Sequence, residues 1–290
     1  MDVSGRTIVV TGSNTGIGRV TAEELARKGA RVILACRSEE KTRPVIESIR
    51  AAGGKAEFLA LDLGDLESVR RAAKTLLDKD EATDSEGGSA GVLPARRPID
   101  VLVNNAGQAA LRGTTPQGFE LAFGINHLGH YLFTRLLLPL LERAAAPRIV
   151  NVSSKSHYRA KGIDWDAVRK PTPHVTGLPE YEVSKLANVL FTNELARRFP
   201  KITSASLHPG VVASDAWRQA PWGIRHVMKL FMITNEQGAQ TTLHCVQADD
   251  IKSGAYYDSS KERRPSRVST DAELSRMLWD KSAEWVGLPA

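Results

Sequence analysis

The hydrophobic positions of this chain alternate between two periods. TIVVT, residues 7 to 11, is a short β-branched apolar run that reads as a buried strand. RVTAEELARKG follows it with Val20, Leu25 and Ala26 on one helical face and Gly29 where a helix would stop. ARVILACRS is a second buried strand, and a polar helix after it ends at AAGG. In AEFLALDLGD, Phe58, Ala60 and Asp62 alternate with Leu59, Leu61 and Leu63, as in a central strand that ends in a carboxylate. DLESVRRAAKTLLD is the next helix, with Asp65 placed to cap it. IDVLVNNAG predicts a fourth strand. GFELAFGINHLGHYLFTRLLLPLL predicts one long helical segment, with Phe119, Phe123, Leu128, Leu132 and Leu136 on its buried side. APRIVNVSS and ITSASLHPGVVAS are the fifth and sixth strands. Between them a polar segment, with Trp165 as its one large apolar group, leads into a helix that runs through YEVSKLANVLF to about Phe199.

Strands that alternate with helices in this way predict an α/β protein with a single-domain Rossmann fold, a doubly wound parallel sheet with helices on both faces. One domain is expected over residues 1–290, with its core in 6–214. Residues 79–98, rich in Gly, Ser, Pro and charge, read as a mobile surface loop. Residues 215–235 carry Trp217, Trp222, Met228, Phe231 and Met232, which suit either ordinary core or an apolar lid over a substrate.

Composition narrows the function. A chain of 290 residues with 42% hydrophobic and 25% charged residues is that of an ordinary globular protein. The net charge of +6 is spread along helices instead of gathered in an aromatic-laced stripe, so nucleic acid is not expected as a partner. Two cysteines, Cys36 and Cys245, are too few for a disulfide framework and point to a reducing compartment. No run reaches the roughly 18 to 20 apolar residues of a membrane span. The apolar strand begins almost at once, so no membrane anchor is expected and the protein is placed in the cytoplasm.

Three stretches carry chemistry. The first is the turn Gly12, Ser13, Asn14, Thr15, Gly16, Ile17 and Gly18 between the first strand and the first helix. Its spacing departs from G-x-G-x-x-G but meets the same need, a pyrophosphate held at a helix N-terminus. The second strand ends at Arg37 with no acid before Glu39, and an arginine there suits a 2′-phosphate, hence NADP(H) over NAD(H). Asp62 would accept a bond from an adenine amine or help cap a helix. The second stretch is NNAG: Asn104 and Asn105 can satisfy strand-end backbone groups, while Ala106 and Gly107 leave room for something flat. Asn126, among apolar neighbours, must be hydrogen-bonded, either as a structural tie or as the holder of a water. The third is Tyr181 and Lys185, one helical turn apart, where the ammonium would lower the phenol's pKa for proton transfer.

With TGSNTGIG, DL at 62 and 63, NNAG, Asn126, Ser154, YEVSK and HPG in this order, the chain resembles the short-chain dehydrogenase/reductase superfamily of classical type. ACRS, NHLGHYLF and SKLANVLF are similar to its retinol dehydrogenase-like branch and to WW-domain oxidoreductases. The resemblance implies hydride transfer between NADP(H) and a lipophilic or aromatic ketone, aldehyde or alcohol, most simply as a carbonyl reductase. It implies Tyr181 as general acid and Lys185 as the group that tunes it and holds the ribose. Ser154, in preference to Ser153 on the other face of the strand, would donate to the substrate oxygen, and Asn126 would bind a relay water. Leu63, Pro209, Gly210, Val212 and Ser214 join the cofactor contacts on the same basis. It also leaves open an NAD-dependent alcohol, steroid or retinol dehydrogenase, an idle NADP-binding regulator, and a homo-oligomer paired through the helices of Asn126 and Tyr181. No metal is implied. The branch usually carries an N-terminal membrane-anchoring segment that is not seen here, and residues 79–98 look like an insertion.

Overall fold

The computed structural model of the protein describes residues 1–82, 98–109, 111–210 and 233–290. Its first strand, β1 (Thr7–Thr11), sends Val9 into the apolar cluster on one face of the sheet and Ile8 and Val10 into the cluster on the other, as a pleated strand buried on both sides must. The chain continues through α1 (Gly16–Arg27), β2 (Arg31–Cys36), α2 (Glu39–Ala51), β3 (Lys55–Ala60), α3 (Leu66–Ala82) and β4 (Val101–Asn104). A single turn α4 (Leu121–Phe123), a π-helical turn (Gly124–Leu128) and α5 (Gly129–Leu141) lead to β5 (Arg148–Val152). Two short 3-10 turns precede α6 (Leu178–Arg198). After it come β6 (Thr203–His208), α7 (Asn235–Gln247), β7 (Tyr256–Asp258), β8 (Lys261–Arg263) and α8 (Ala272–Val286).

Among the described residues eight strands form one sheet in the order β3-β2-β1-β4-β5-β6-β7-β8, parallel except for the last pair. The chain winds outward from β1 to β3, returns to β4 beside β1, and winds outward the other way. The carboxyl ends of β1 and β4 are therefore the point where the winding reverses, the crevice in which such sheets hold ligands. One face is covered by α3, α5, α6 and α8, the other by α1, α2 and α7. α8 is fixed through Trp279, whose ring meets Tyr131 at 5.1 Å and lies under the guanidinium groups of Arg135 and Arg198 at 4.7 and 4.8 Å.

Several expectations need correction. β3 is an edge strand, not a central one: among the described residues only β2 pairs with it, and Phe58 is partly buried. The segment expected to be a loop from residue 79 begins as helix, because α3 continues to Ala82; residues 83–97 lie outside the described residues. The long helix expected around Asn126 is broken by the π-helical turn. A side chain at Gly124 would run into Thr115, so the backbone packs directly on that neighbour. Leu136 is only partly buried there. In the segment after Ser154, Val168 and Ala160 are buried as well as the partly buried Trp165. Of the expected lid, 215–232 lies outside the described residues, while Asn235 opens α7 behind a capping box made by Thr234 and Gln237.

Candidate active site

The turn from β1 into α1 has almost no room for side chains. Gly12 has φ +64°, and a Cβ there would stand 2.8 Å from the Cβ of Ala106. A Cβ on Gly18 would meet the carbonyl of Gly12 and the carboxamide of Asn105. Two glycines thus let α1 start hard against the NNAG segment. Thr15, the N-cap, makes no side-chain cap, and a helix start of this kind suits an anion. Ser13 is placed differently from expectation: its amide donates to Cys36 Sγ (3.2 Å) and its hydroxyl to the Val10 carbonyl (2.9 Å). Both polar groups are spent inside the fold, so Ser13 anchors the turn and offers no side-chain contact to a coenzyme. Asn14 and Ile17 are half-buried, Thr15 is exposed, and Arg37 is exposed directly beyond the end of β2. Asp62 accepts the Gly64 amide (2.9 Å), while Asp65 caps α3 through the amides of Glu67 (3.0 Å) and Ser68 (3.3 Å). The Leu63 side chain is buried in the core, which leaves only its backbone to face a coenzyme.

Thr11 ties the NNAG segment to β1. Its hydroxyl accepts the amides of Asn105 (3.0 Å) and Ala106 (2.9 Å) and pairs with His130 Nε2 (2.9 Å). Asn105 returns its carboxamide to the Thr11 carbonyl (2.8 Å), as expected of a residue that satisfies strand-end backbone. Asn104 does not share that role: it donates to Thr134 Oγ1 (3.0 Å) and Asn151 Oδ1 (2.8 Å), side chains on the face beneath. His130 Nδ1 lies 3.0 Å from the Asn126 carbonyl, and burial lowers its pKa to about 4. The ring is therefore neutral, with Nδ1 donating to Asn126 and Nε2 accepting from Thr11.

Asn126 sits in the π-helical turn, fully buried. Its Oδ1 accepts the Gln108 amide (2.9 Å), and its Nδ2 donates to the Gln108 carbonyl (2.9 Å) and to Ser184 Oγ (2.9 Å). Both donor positions and one of the two acceptor positions on this carboxamide serve the fold, which makes the side chain a structural tie. A π-turn is a recurrent way to aim one side chain inward.

Ser154, Tyr181 and Lys185 converge. Ser154 follows β5, accepts the Ser156 amide (3.1 Å) and donates to Ser156 Oγ (3.2 Å), and its hydroxyl is near enough to the Tyr181 phenol to act on its ionisation. Ser153, buried on the opposite side, donates to the Lys185 carbonyl (2.7 Å) and plays no part in this contact. Lys185 Nζ donates to the Val152 carbonyl (2.9 Å) and stands 5.6 Å from the centre of the Tyr181 ring. It also fills the space beside Gly107, where a Cβ would be 3.2 Å from Nζ. Burial lowers the Lys185 pKa to about 8. The Tyr181 balance differs from the one expected. Burial pushes the phenol above its ordinary value, the Ser154 hydroxyl pulls it back, and the ammonium does not reverse the direction.

At the end of β6, burial lowers His208 to about 4, and its Nδ1 accepts the Lys155 amide (3.3 Å). Pro209 and Gly210 follow, with Gly210 at φ +96° against Ile233. Val212, Ser214 and the aromatic residues expected to form a lid lie outside the described residues. Among the described residues, no cluster of three His, Cys, Asp or Glu is arranged to hold a metal. The sequence reading missed Thr11, His130 and Gln108. His130 had a signal, since NHLGH spaces it four residues from Asn126, one helical turn along.

The arrangement fits a nicotinamide coenzyme: an uncapped helix start, a cradle that a Cβ would fill, and a tyrosine paired with a donor at the far end. The family model described as short chain dehydrogenase matches residues 6–222. Human retinol dehydrogenase 11 is 39% identical, over 100% of this chain and 88% of its own length, and human retinol dehydrogenase 13 is 37% identical over 99% and 86%. A crystal structure of an uncharacterized protein from Mycobacterium paratuberculosis superposes with a TM-score of 0.77 at 32% identity, covering 100% of this chain and 97% of the other. A short chain dehydrogenase from Shigella flexneri, solved with NADP, shares the fold with a TM-score of 0.68 at 24% identity, covering 90% and 99%. These relatives correct the cytoplasmic placement, because the matched retinol dehydrogenases are membrane-associated proteins. Among the described residues, no helix is long and apolar enough to cross a membrane.

Proposed function

The chain belongs to the short-chain dehydrogenase family, in its retinol dehydrogenase-like part, and from that premise we propose that it is an NADP(H)-dependent reductase of lipophilic carbonyl compounds. The observation that carries the reading is the convergence of Ser154 and the Tyr181 phenol beside a buried Lys185, whose Nζ stands 5.6 Å from the centre of the Tyr181 ring. The coenzyme supplies the hydride; the chain supplies position and the proton. Tyr181 Oη gives its proton to the carbonyl oxygen as negative charge develops there, which suits a phenol held protonated at neutral pH. Ser154 Oγ donates to the same oxygen. Lys185, kept in place by the Val152 carbonyl, faces the phenolate that remains after transfer and stabilises it. Asn126 and His130 hold α5, the NNAG segment and α6 in register, so that phenol and lysine keep their spacing. Arg37, exposed beyond the end of β2, would pair with a 2′-phosphate.

A second reading, a retinol dehydrogenase, is favoured by the 39% identity to human retinol dehydrogenase 11. One experiment addresses both: a set of aliphatic ketones, aromatic ketones and all-trans-retinal, assayed with NADPH and NADH on the wild type and on Arg37→Asp. The proposal expects turnover of aromatic ketones with NADPH, and a loss of NADPH affinity in Arg37→Asp of about tenfold or more, with NADH little changed. Equal losses for both coenzymes would remove the NADP(H) assignment. Turnover confined to retinal would establish the second reading.

A further inference from the structure

Gln108 lies four residues beyond the end of β4, at the mouth of the crevice where the winding of the sheet reverses. It follows Gly107, the residue packed on Lys185, and its backbone amide and carbonyl clasp the Asn126 carboxamide (both 2.9 Å). Its side-chain oxygen is used as well: Oε1 accepts the Leu111 amide (3.1 Å), closing the turn that leaves the strand. Its nitrogen is not. Nε2 is buried and has no hydrogen-bond partner among the described residues, and the residue as a whole is only 9% exposed. Buried amide donors are almost always satisfied, because leaving one unpaired costs its full desolvation. The bond from Leu111 fixes which end of the carboxamide is the oxygen, so rotating the amide would trade one unmet group for two. Among the described residues nothing accepts from this donor, and the residue that carries it adjoins Gly107, which packs on Lys185.

We infer that Gln108 donates a hydrogen bond to a second oxygen of the substrate, one that does not react, and that the enzyme prefers carbonyl compounds bearing such an oxygen, as in vicinal diketones and keto esters. The inference rests on the carbonyl chemistry proposed above and narrows its substrate class. Retinal has a single oxygen, and that oxygen must face Tyr181 and Ser154, so a polyene chain beside Gln108 would leave the donor unmet. The reacting oxygen cannot serve both ends of the site.

The test uses the full chain and a matched pair of substrates, 1-phenyl-1,2-propanedione and propiophenone, which share a skeleton and differ in the second oxygen. In Gln108→Met, which keeps the length and the backbone clasp but lacks the donor, the ratio of kcat/KM for dione over monoketone should fall about tenfold, the size of one buried hydrogen bond. Gln108→Glu, which keeps an acceptor for the Leu111 amide and places another where the donor was, should lower the ratio at least as far. A proportional fall for both ketones with an unchanged ratio would make Gln108 structural and overturn the inference. Weaker NADPH binding with an unchanged ratio would assign the donor to the coenzyme and overturn it too. If the wild type reduces neither ketone, the proposed activity fails separately, and titrating the dione into NADP+-bound protein still reads the side chain. Weaker binding to Gln108→Met than to the wild type would support it, and equal or no binding would overturn it.

Discussion

At the β1–α1 turn the site is made by leaving side chains out, whereas between β5 and α6 it is made by burying them. Gly12 and Gly18 clear space so that backbone amides can face an anion. The serine between β1 and α1 turns its hydroxyl inward, and backbone alone is offered. At the other end the proposed chemistry falls to Ser154, Tyr181 and Lys185, and burial sets the ionisation of the last two: Lys185 falls to about 8, and the Tyr181 phenol is raised. Sterics govern the first region, desolvation the second. Damage to the first should therefore appear as lost coenzyme affinity, and damage to the second as lost turnover or altered pH dependence.

The largest expected effect is in the second region. Tyr181→Phe removes the proton donor and should lower kcat by roughly 10²- to 10⁴-fold. Coenzyme affinity, followed by nicotinamide fluorescence, should stay within about a factor of three, because the β1–α1 turn is untouched. A parallel loss of affinity would erase the distinction between the two regions. The converse change is Gly12→Ala. A Cβ at φ +64°, 2.8 Å from Ala106, forces the turn to move, and strain of about 1 to 3 kcal/mol predicts a tenfold to hundredfold loss of NADPH affinity. Its kcat at saturating coenzyme should be much less affected.

The smallest effect is a trend with pH. Lys185 has a folded-state pKa of about 8 against an ordinary 10.5, so its ammonium is buried at a cost below pH 8. Between pH 8 and 10.5 the unfolded chain holds a proton that the folded chain has released, and stability from this group rises with pH across that window. Urea unfolding at pH 7.5 and pH 10 should show wild type gaining on Lys185→Met by the higher pH. An unchanged difference would mean that the lysine is better solvated than its burial implies.

The same contrast explains what could be read from the sequence. Strands, helices and the glycine turn were legible because local pattern decides them: a run such as TIVVT has few other fates, and a glycine cluster between strand and helix has few other uses. Ser154, Tyr181 and Lys185 were legible as a set, and the fold brings Lys185 within 5.6 Å of the Tyr181 ring centre. Their electrostatic balance was not, because a phenol's pKa depends on which atoms surround it after folding, and here burial outweighs the ammonium one turn away. β3 was misplaced for a related reason: its alternation tells which side chains are buried but not whether a second strand pairs with it. Thr11 and His130 look like an ordinary strand residue and an ordinary helix residue until the sheet sets β1 beside β4 and α5 across both. The role of Asn126 also depended on contacts distant in sequence, with Gln108 and Ser184.

The most direct test of this account is the ionisation of Tyr181 itself, followed by tyrosinate absorbance as the difference between wild type and Tyr181→Phe, with and without NADP+. Without coenzyme the phenol should titrate above 10, because burial dominates. With the positively charged oxidised nicotinamide bound, it should fall well below that value. A phenol that titrates at or below 10 in the free protein, or one that NADP+ does not shift, would contradict the claim that burial holds the proton on Tyr181 until the oxidised coenzyme stands beside it.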